Sequence, residues 1–440
     1  MKWDNFKNSN TFRVLFIGFL ILLFLIPMSM VESVIFERSH LYRQATNEIT
    51  KSWGKAHLMV GPILTLPYSI THSNSGWPIA SQYKHHKPDS MIINTDIETQ
   101  IRYRGIYEVP VYTTTIHVTG IYNSLIAGND YEKNNLLNLD EGIIQIPVQQ
   151  NRSIKKPIQL TWNGEEIHLT PERDDAAKNI IIFTGILPSH LLNNDQVHKF
   201  EYDMVLAGSE SFSFISPSKH TIININSNWT SPGFYGSYLP SKRDITDEGF
   251  NARWEINDLN FDISHQENRN ISFLWFNNEP EFGVKLIQPV DTYQTVTRAA
   301  KYAVLFISLT FLVYFFTELF GRVQLHPIQY LFVGVANCVF YLLLLSLAEH
   351  IIFSTAYFIS SIASIILISL YSKSILKSCI KAGIVFLVLS GLYTYLFVTL
   401  RSEGFALIIG SFGLFIILGI SMYLTRNIDW NKMGTQSQEA

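Results

Sequence analysis

Cysteine is almost missing from this sequence. Cys338 and Cys379 are the two among 440 residues, and both fall in or beside the hydrophobic C-terminal half. The long middle region therefore has no disulfide and must be held by its own core, for which it is long enough. Its redox compartment is left open, because a region without thiols suits either kind. Catalytic signatures are missing as well: there is no HExxH, no GxSxG, no phosphate-binding P-loop and no dinucleotide-binding glycine fingerprint. Basic charge is scarce in residues 32–297, where 21 Lys and Arg face 30 Asp and Glu, a net of −9. Phosphate backbones need a basic surface, so nucleic acid is excluded as a partner. Neither a cofactor nor a resident metal is expected.

Hydrophobic residues, in contrast, make up 47% of the chain, and mean hydropathy is positive. That is too apolar for a purely soluble protein. Val14 to Val31 is a run of 18 residues without a charge, close to what a helix needs to cross a bilayer. Ser29-Met30-Val31 is a poor small-residue cleavage site, so the run reads as an uncleaved signal anchor rather than a signal peptide. Five further runs follow: 302–321, 328–348, 351–372, 382–400 and 404–425. Six crossings place both termini on one side. Nine basic residues flank the spans on that side (Lys2, Lys7, Arg13, Arg322, Lys373, Lys377, Lys381, Arg426, Lys432), against Arg298, Lys301 and Arg401 on the other. The excess predicts cytoplasmic termini and a translocated middle domain, with Trp3 and Trp430 at the inner interface. The expected division is a cytoplasmic N-terminus (1–13), the first membrane helix (14–31), an amphipathic stalk helix (32–54) stopped by Gly54, a β-rich periplasmic domain (55–297), a five-helix bundle (298–425) and a cytoplasmic tail (426–440).

Within the middle region, apolar and polar residues alternate from Val109 to His117 and in part from Thr221 to Trp229. Shorter β-rich runs occur at 58–66, 91–103, 143–148, 180–186, 200–206, 250–256 and 282–287. Many short strands without regular helices between them predict a mostly antiparallel sandwich or roll. Whether it forms one domain or two packed halves stays open.

The candidate functional residues are few. In SNWTSPGFYGSYLPSKRDITDEGFNARWEI (Ser227 to Ile256), aromatic residues crowd among turn formers and charges. Trp229, Tyr235, Arg243 and Trp254 read either as core with a paired arginine or as a face that meets a partner. His85 and His86 with Asp89 could be imagined around a metal, but neighbouring histidines diverge on a strand and the spacing fits no zinc motif, so a solvated loop ended by Pro88 is expected. Among intramembrane or interfacial polar groups, Glu318 is expected to pair with Arg322 one turn on. Glu349 and His350 are expected to cap a turn, with proton relay as the rival role. Asn337 is expected to hydrogen-bond to a neighbouring helix.

Several longer motifs carry a resemblance. MVGPILTLP (Met59 to Pro67), RGIY (Arg104 to Tyr107), SNW followed by SYLPSKRDIT, GFNARW (Gly249 to Trp254), TRAAKYAVLFISLTF (Thr297 to Phe311), LHPIQYLFVG (Leu325 to Gly334), LAEH (Leu347 to His350) and LTRNIDW (Leu424 to Trp430) run nearly from end to end of the chain. Together they resemble the CreD family of inner-membrane proteins of Gram-negative bacteria. The resemblance implies a multi-span protein linked to cell-envelope integrity and colicin tolerance, with expression under a two-component system. It brings no catalytic residue with it. The resulting expectation is a non-enzymatic protein of the inner membrane whose partners are the lipid bilayer and an envelope component or membrane protein. The rival is a transporter or transporter accessory, for which Asn337, Tyr341, Ser346 and Ser364 should line one polar cavity of the bundle.

Overall fold

The computed structural model describes residues 10–71, 78–123, 135–137, 142–149, 153–173, 180–192, 196–215, 218–257, 280–286, 292–321, 325–402 and 405–426. Two compact units divide the chain: residues 1–43 with 290–440, and residues 44–289.

The second unit is built of strands β1 (His57–Val60), β2 (Ile63–Thr71), β3 (Pro78–His86), β4 (Ser90–Arg104), β5 (Tyr107–Tyr122), β6 (Asn135–Leu137), β7 (Gly142–Gln149), β8 (Gln159–Trp162), β9 (Glu165–Ile167), β10 (Leu169–Arg173), β11 (Ile180–Leu187), β12 (His198–Ser209), β13 (Ser211–Ile215), β14 (His220–Ser227), β15 (Pro232–Gly236), β16 (Lys242–Thr246), β17 (Gly249–Asn257) and β18 (Phe282–Leu286). Ten of them form one sheet, in the order β10-β11-β7-β1-β13-β18-β15 with β2, β3 and β6 branching from β7. The other eight form a second sheet, β16-β17-β14-β4-β5-β12-β8-β9. The expected antiparallel character holds for most neighbours, but β1 pairs with β13 and β4 with β14 in parallel. The sheets are therefore mixed. Parallel neighbours need long crossover connections, and nothing in a strand's own residues announces that its partner lies far along the chain.

One buried cluster takes side chains from both sheets, among them Leu64, Ile144, Phe212 and Phe282 from the first and Met91, Ile116, Tyr202 and Trp254 from the second. The strands thus make a single sandwich rather than two halves. Alternation explains it: along β4, Met91, Ile93, Thr95 and Ile97 are buried while Ile92, Asn94, Asp96 and Glu98 are exposed, as a period of two on a half-buried sheet requires. β4 and β5 run past the sandwich as a hairpin whose last pair is Arg104 with Tyr107. Its two-residue turn starts at Gly105 with φ 62°, the position at which a type II′ turn calls for glycine.

Helix α1 (Asn10–Trp53) is one uninterrupted helix. In the sandwich unit its last turns are held by Trp53, whose indole donates to Tyr112 O at 3.0 Å and lies under Arg102 and Lys155. Arg104 pairs with Glu48 at 2.9 Å.

The helical unit contains the earlier part of α1 and α2 (Thr292–Lys301), α3 (Ala303–Gly321), α4 (Pro327–Ala348), α5 (Phe353–Leu376), α6 (Cys379–Arg401) and α7 (Ala406–Thr425). Among the described residues six helices, α1 and α3 to α7, are long and apolar enough to cross a membrane. The α1 stripe Leu20, Phe24, Met28, Val31 and Ile35 is buried, and Phe24 packs edge-on against Phe311 and directly over Gly334. A helix begins at LHPIQ because His326 Nδ1 accepts from Ile328 N, Gln329 reaches back to His326 N, and Pro327 sits where no amide hydrogen is needed.

Candidate functional site

The stretch from Ser227 to Ile256 leaves one sheet, enters the other and returns. It begins at the last residue of β14 on the eight-stranded side, β15 joins β18 in the ten-stranded sheet, and β16 with β17 close the eight-stranded edge. Trp254 is 1% exposed, and its indole donates to Tyr238 O at 3.2 Å. Phe234 meets Trp254 and Phe250 edge-on, and Tyr238 meets Phe282 edge-on. Trp229 is half-buried against this core and donates to Ser231 O. Tyr235 stands elsewhere, donating to Glu281 with Lys285 over its ring; burial raises its pKa. Arg243 lies on β16, exposed. These four residues do not form one surface: Trp254 is core, while Arg243 alone reaches a groove.

That groove lies on the solvent face of the eight-stranded sheet and encloses about 380 Å³. Register places its side chains in two rows. Asp244, Asn251, Asn226 and Asp96 are cross-strand neighbours in one, and Lys242, Arg253, Asn224 and Asn94 in the other. Amide to oxygen bonds tie the rows at β4 and β14, Asn224 to Asn94 at 2.9 Å and Asn226 to Asp96 at 3.0 Å. The second row continues into His117, whose Nδ1 lies 2.8 Å from Asp203. Sequence reasoning found Arg243 and missed the asparagines, each of which is unremarkable when taken one at a time. The signal was present in ININSN, where every second residue is asparagine.

His85 and His86 are not in a loop; they end strand β3, opposite Thr65 and Leu64. That correction follows from β2, whose open edge captures the segment as a ladder partner. Successive side chains of a strand point to opposite faces, and Asp89 is engaged by Lys219 at 2.7 Å and by Asn123 N. No group of His, Cys, Asp and Glu suited to a metal occurs among the described residues.

His57 is a buried histidine that sequence reading passed over. Its Nε2 lies 2.9 Å from Ala207 O. Burial, more than offsetting two backbone hydrogen bonds, lowers its pKa from 6.5. The unfolded chain therefore takes up this proton first as pH falls. Stability is complete above about pH 6.5 and drains away toward the folded-state value. Thermal unfolding of the full chain in detergent should show a midpoint that falls between about pH 7 and about pH 5, with a shallower fall in His57→Gln.

In the helical unit, Glu318 is 6% exposed. It accepts from Tyr330 Oη at 2.9 Å and from Leu325 N at 3.3 Å, so it joins the end of α3 to the start of α4. Its expected partner Arg322 lies outside the described residues, as do Lys2, Lys7, Lys432, Trp3 and Trp430. Asn337 is fully buried; it donates to Val333 O of its own helix and accepts from Tyr393 of α6 at 3.4 Å. Glu349 ends α4 and accepts from Tyr293 Oη at 3.1 Å, with Arg38 at 3.9 Å. His350 is exposed in the turn beside it. Asn337, Tyr341 and Ser364 are buried, whereas Ser346 is exposed. The four do not share one wall.

Six apolar helices with a β-sandwich inserted after the first define a multi-pass membrane protein carrying one folded non-membrane domain. The sequence profile of the family described as "Inner membrane protein CreD" matches residues 9–431, and the chain belongs to that family. Inner membrane protein CreD of Escherichia coli (strain K12) is 29% identical over 424 residues, covering 93% of this chain and 91% of that one. Among solved structures, an M1 zinc metallopeptidase from Deinococcus radiodurans aligns with 45% of this chain and 42% of its own, at 7% identity and a TM-score of 0.20. Native leukotriene A4 hydrolase from Saccharomyces cerevisiae aligns over 44% and 29%, at 6% identity and a TM-score of 0.20. Scores this low carry nothing about activity.

Proposed function

We propose that this inner-membrane protein supports cell-envelope integrity by contact rather than by catalysis, with both termini in the cytoplasm and the sandwich in the periplasm meeting an envelope component. The carrying observation is the solvent face of the eight-stranded sheet. Its groove offers paired amides with carboxylates and the cations Lys242 and Arg253, a wall suited to hydrogen-bonding a polar partner. The excess of basic residues at one end of the spans supports the orientation.

A photo-crosslinker placed at Asn226 or Arg243 of the full-length protein in living cells is expected to capture a protein, lipid or glycan of the envelope. One placed at Ile186, which is 70% exposed on β11, is expected to capture much less. Equal capture from both positions, or none from either, would sink the contact reading. Reporter fusions at residues 200, 349 and 435 test orientation separately: the first two should report the periplasm and the third the cytoplasm.

A further inference from the structure

The tip of the hairpin formed by β4 and β5 stands apart from the groove of the eight-stranded sheet. Its apex is RGIY, Arg104 to Tyr107, a motif noted in the sequence and given no role above. A turn that faces water alone is built of polar residues. This one presents Ile106 at 43% exposure and Tyr103 at 66%, with Ile101 exposed two residues back on the Tyr103 face. Arg102 and Arg104 belong to the opposite face and are engaged there, Arg102 over the Trp53 ring and Arg104 with Glu48.

Chain continuity narrows the occupant. From Tyr112, whose carbonyl accepts from Trp53, the hairpin proceeds to Arg104 at Glu48, so its apex is reached by going back along α1. α1 is a single helix that earlier carries the first membrane run, and its apolar exposure persists to Phe36. Glu48 follows Phe36 by 12 residues, about 18 Å of helix. A headgroup layer of about 5–8 Å, the turn and the Tyr103 side chain account for most of that distance.

We propose that this apex is a membrane foot: Ile106 and Tyr103 rest among the phospholipid headgroups of the bilayer that α1 crosses. Tyrosine suits that level, because its ring meets the apolar side while its hydroxyl stays with water and phosphate. Size argues against a protein on the same patch. Three side chains fall far short of the area of about 1,000 Å² that a specific protein interface needs. A bilayer needs no such area, since α1 already holds the chain to it and the second contact forms at high effective concentration. A second copy placed apex to apex would also bring two exposed Glu108 carboxylates together, each beside its cross-strand neighbour Tyr103. The contact does not depend on which leaflet the sandwich faces, nor on the sheet groove.

The test uses the purified full-length protein in vesicles of phosphatidylethanolamine and phosphatidylglycerol. Cys379→Ser removes the exposed native thiol, Cys338 being buried. Nitroxide labels are then attached in Ile106→Cys, in Tyr103→Cys and, as the control, in Asp247→Cys, an exposed turn position between β16 and β17. Collisions of each label with oxygen, which partitions into lipid, and with a water-soluble nickel chelate are measured by electron paramagnetic resonance. The labels at 106 and 103 should lose about half or more of the nickel collisions made by the label at 247 and show a higher ratio of oxygen to nickel collisions, the mark of an interfacial environment. Oxygen and nickel collisions reduced together would mean that protein covers the apex, a second copy in a purified sample, and would overturn the proposal. Collision rates equal to those at 247 would leave the apex in water and overturn it as well.

Discussion

Trp254→Ala is expected to destabilise the β-sandwich by about 3–5 kcal/mol, the range for removing a large aromatic side chain from a packed core. The indole is 1% exposed and fills the space between sheets: Phe234 comes from β15 of one, Trp254 and Phe250 from β17 of the other, and Phe282 closes the contact at 6.3 Å. Deleting it leaves a void bordered by rings that cannot all collapse inward, and leaves Tyr238 O without the indole donor. Trp254→Phe should cost less, since it keeps most of the apolar volume and loses the hydrogen bond, worth about 1 kcal/mol. Chemical unfolding of the full-length protein in detergent measures both. A near-normal unfolding midpoint for Trp254→Ala, accompanied by loss of partner crosslinking, would move this residue from core to contact surface.

Gly54→Ala should be as damaging although it adds a single carbon. Gly54 has φ 144°, and a Cβ built there would meet Ala207 O at 2.0 Å and Ala207 C at 2.9 Å. The obstacle is backbone and cannot rotate away. It is also fixed, because Gly54 O accepts from Ser209 Oγ at 2.8 Å and Ser209 N donates to Lys55 O. The expected cost is above about 3 kcal/mol, from backbone strain and a displaced strand together. Gly105→Ala is the matched control. Its φ of 62° is also left-handed, but nothing lies within 4 Å of the added Cβ, so it should lose about 1 kcal/mol. Similar midpoints for the two variants would show that the close approach at Gly54 is relieved by a cheap shift.

Much of this architecture was legible from periodicity. The six apolar helices follow from uninterrupted hydrophobic runs, and each β-rich run read from the sequence coincides with a strand or a pair of strands. The run at 58–66 is split because Gly61 and Pro62 interrupt it, and Pro62 has no amide hydrogen for the ladder. Strands such as β3, β8, β9 and β16 were not legible, being short or polar and held by a neighbour rather than by their own pattern. The candidate site shows the same limit. Arg243 stood out as a charge among aromatics, whereas Asn94, Asn224, Asn226 and Asn251 become a surface only when a parallel and an antiparallel pairing set them side by side. Glu318 drew notice as a membrane acid, yet its tyrosine partner lies on the next helix.

The parallel union of β1 with β13 also bears on biogenesis. His57 emerges from the ribosome early and lies opposite Phe212, while β13 in turn needs Phe282 and Val284, just ahead of the second hydrophobic helix. Until nearly the whole insert has been synthesised, β1 keeps a bare edge, the kind of feature that invites aberrant pairing. A holding chaperone in the compartment where the sandwich closes is accordingly expected to bind growing chains that stop before Ser211, and to release those that extend past Leu286.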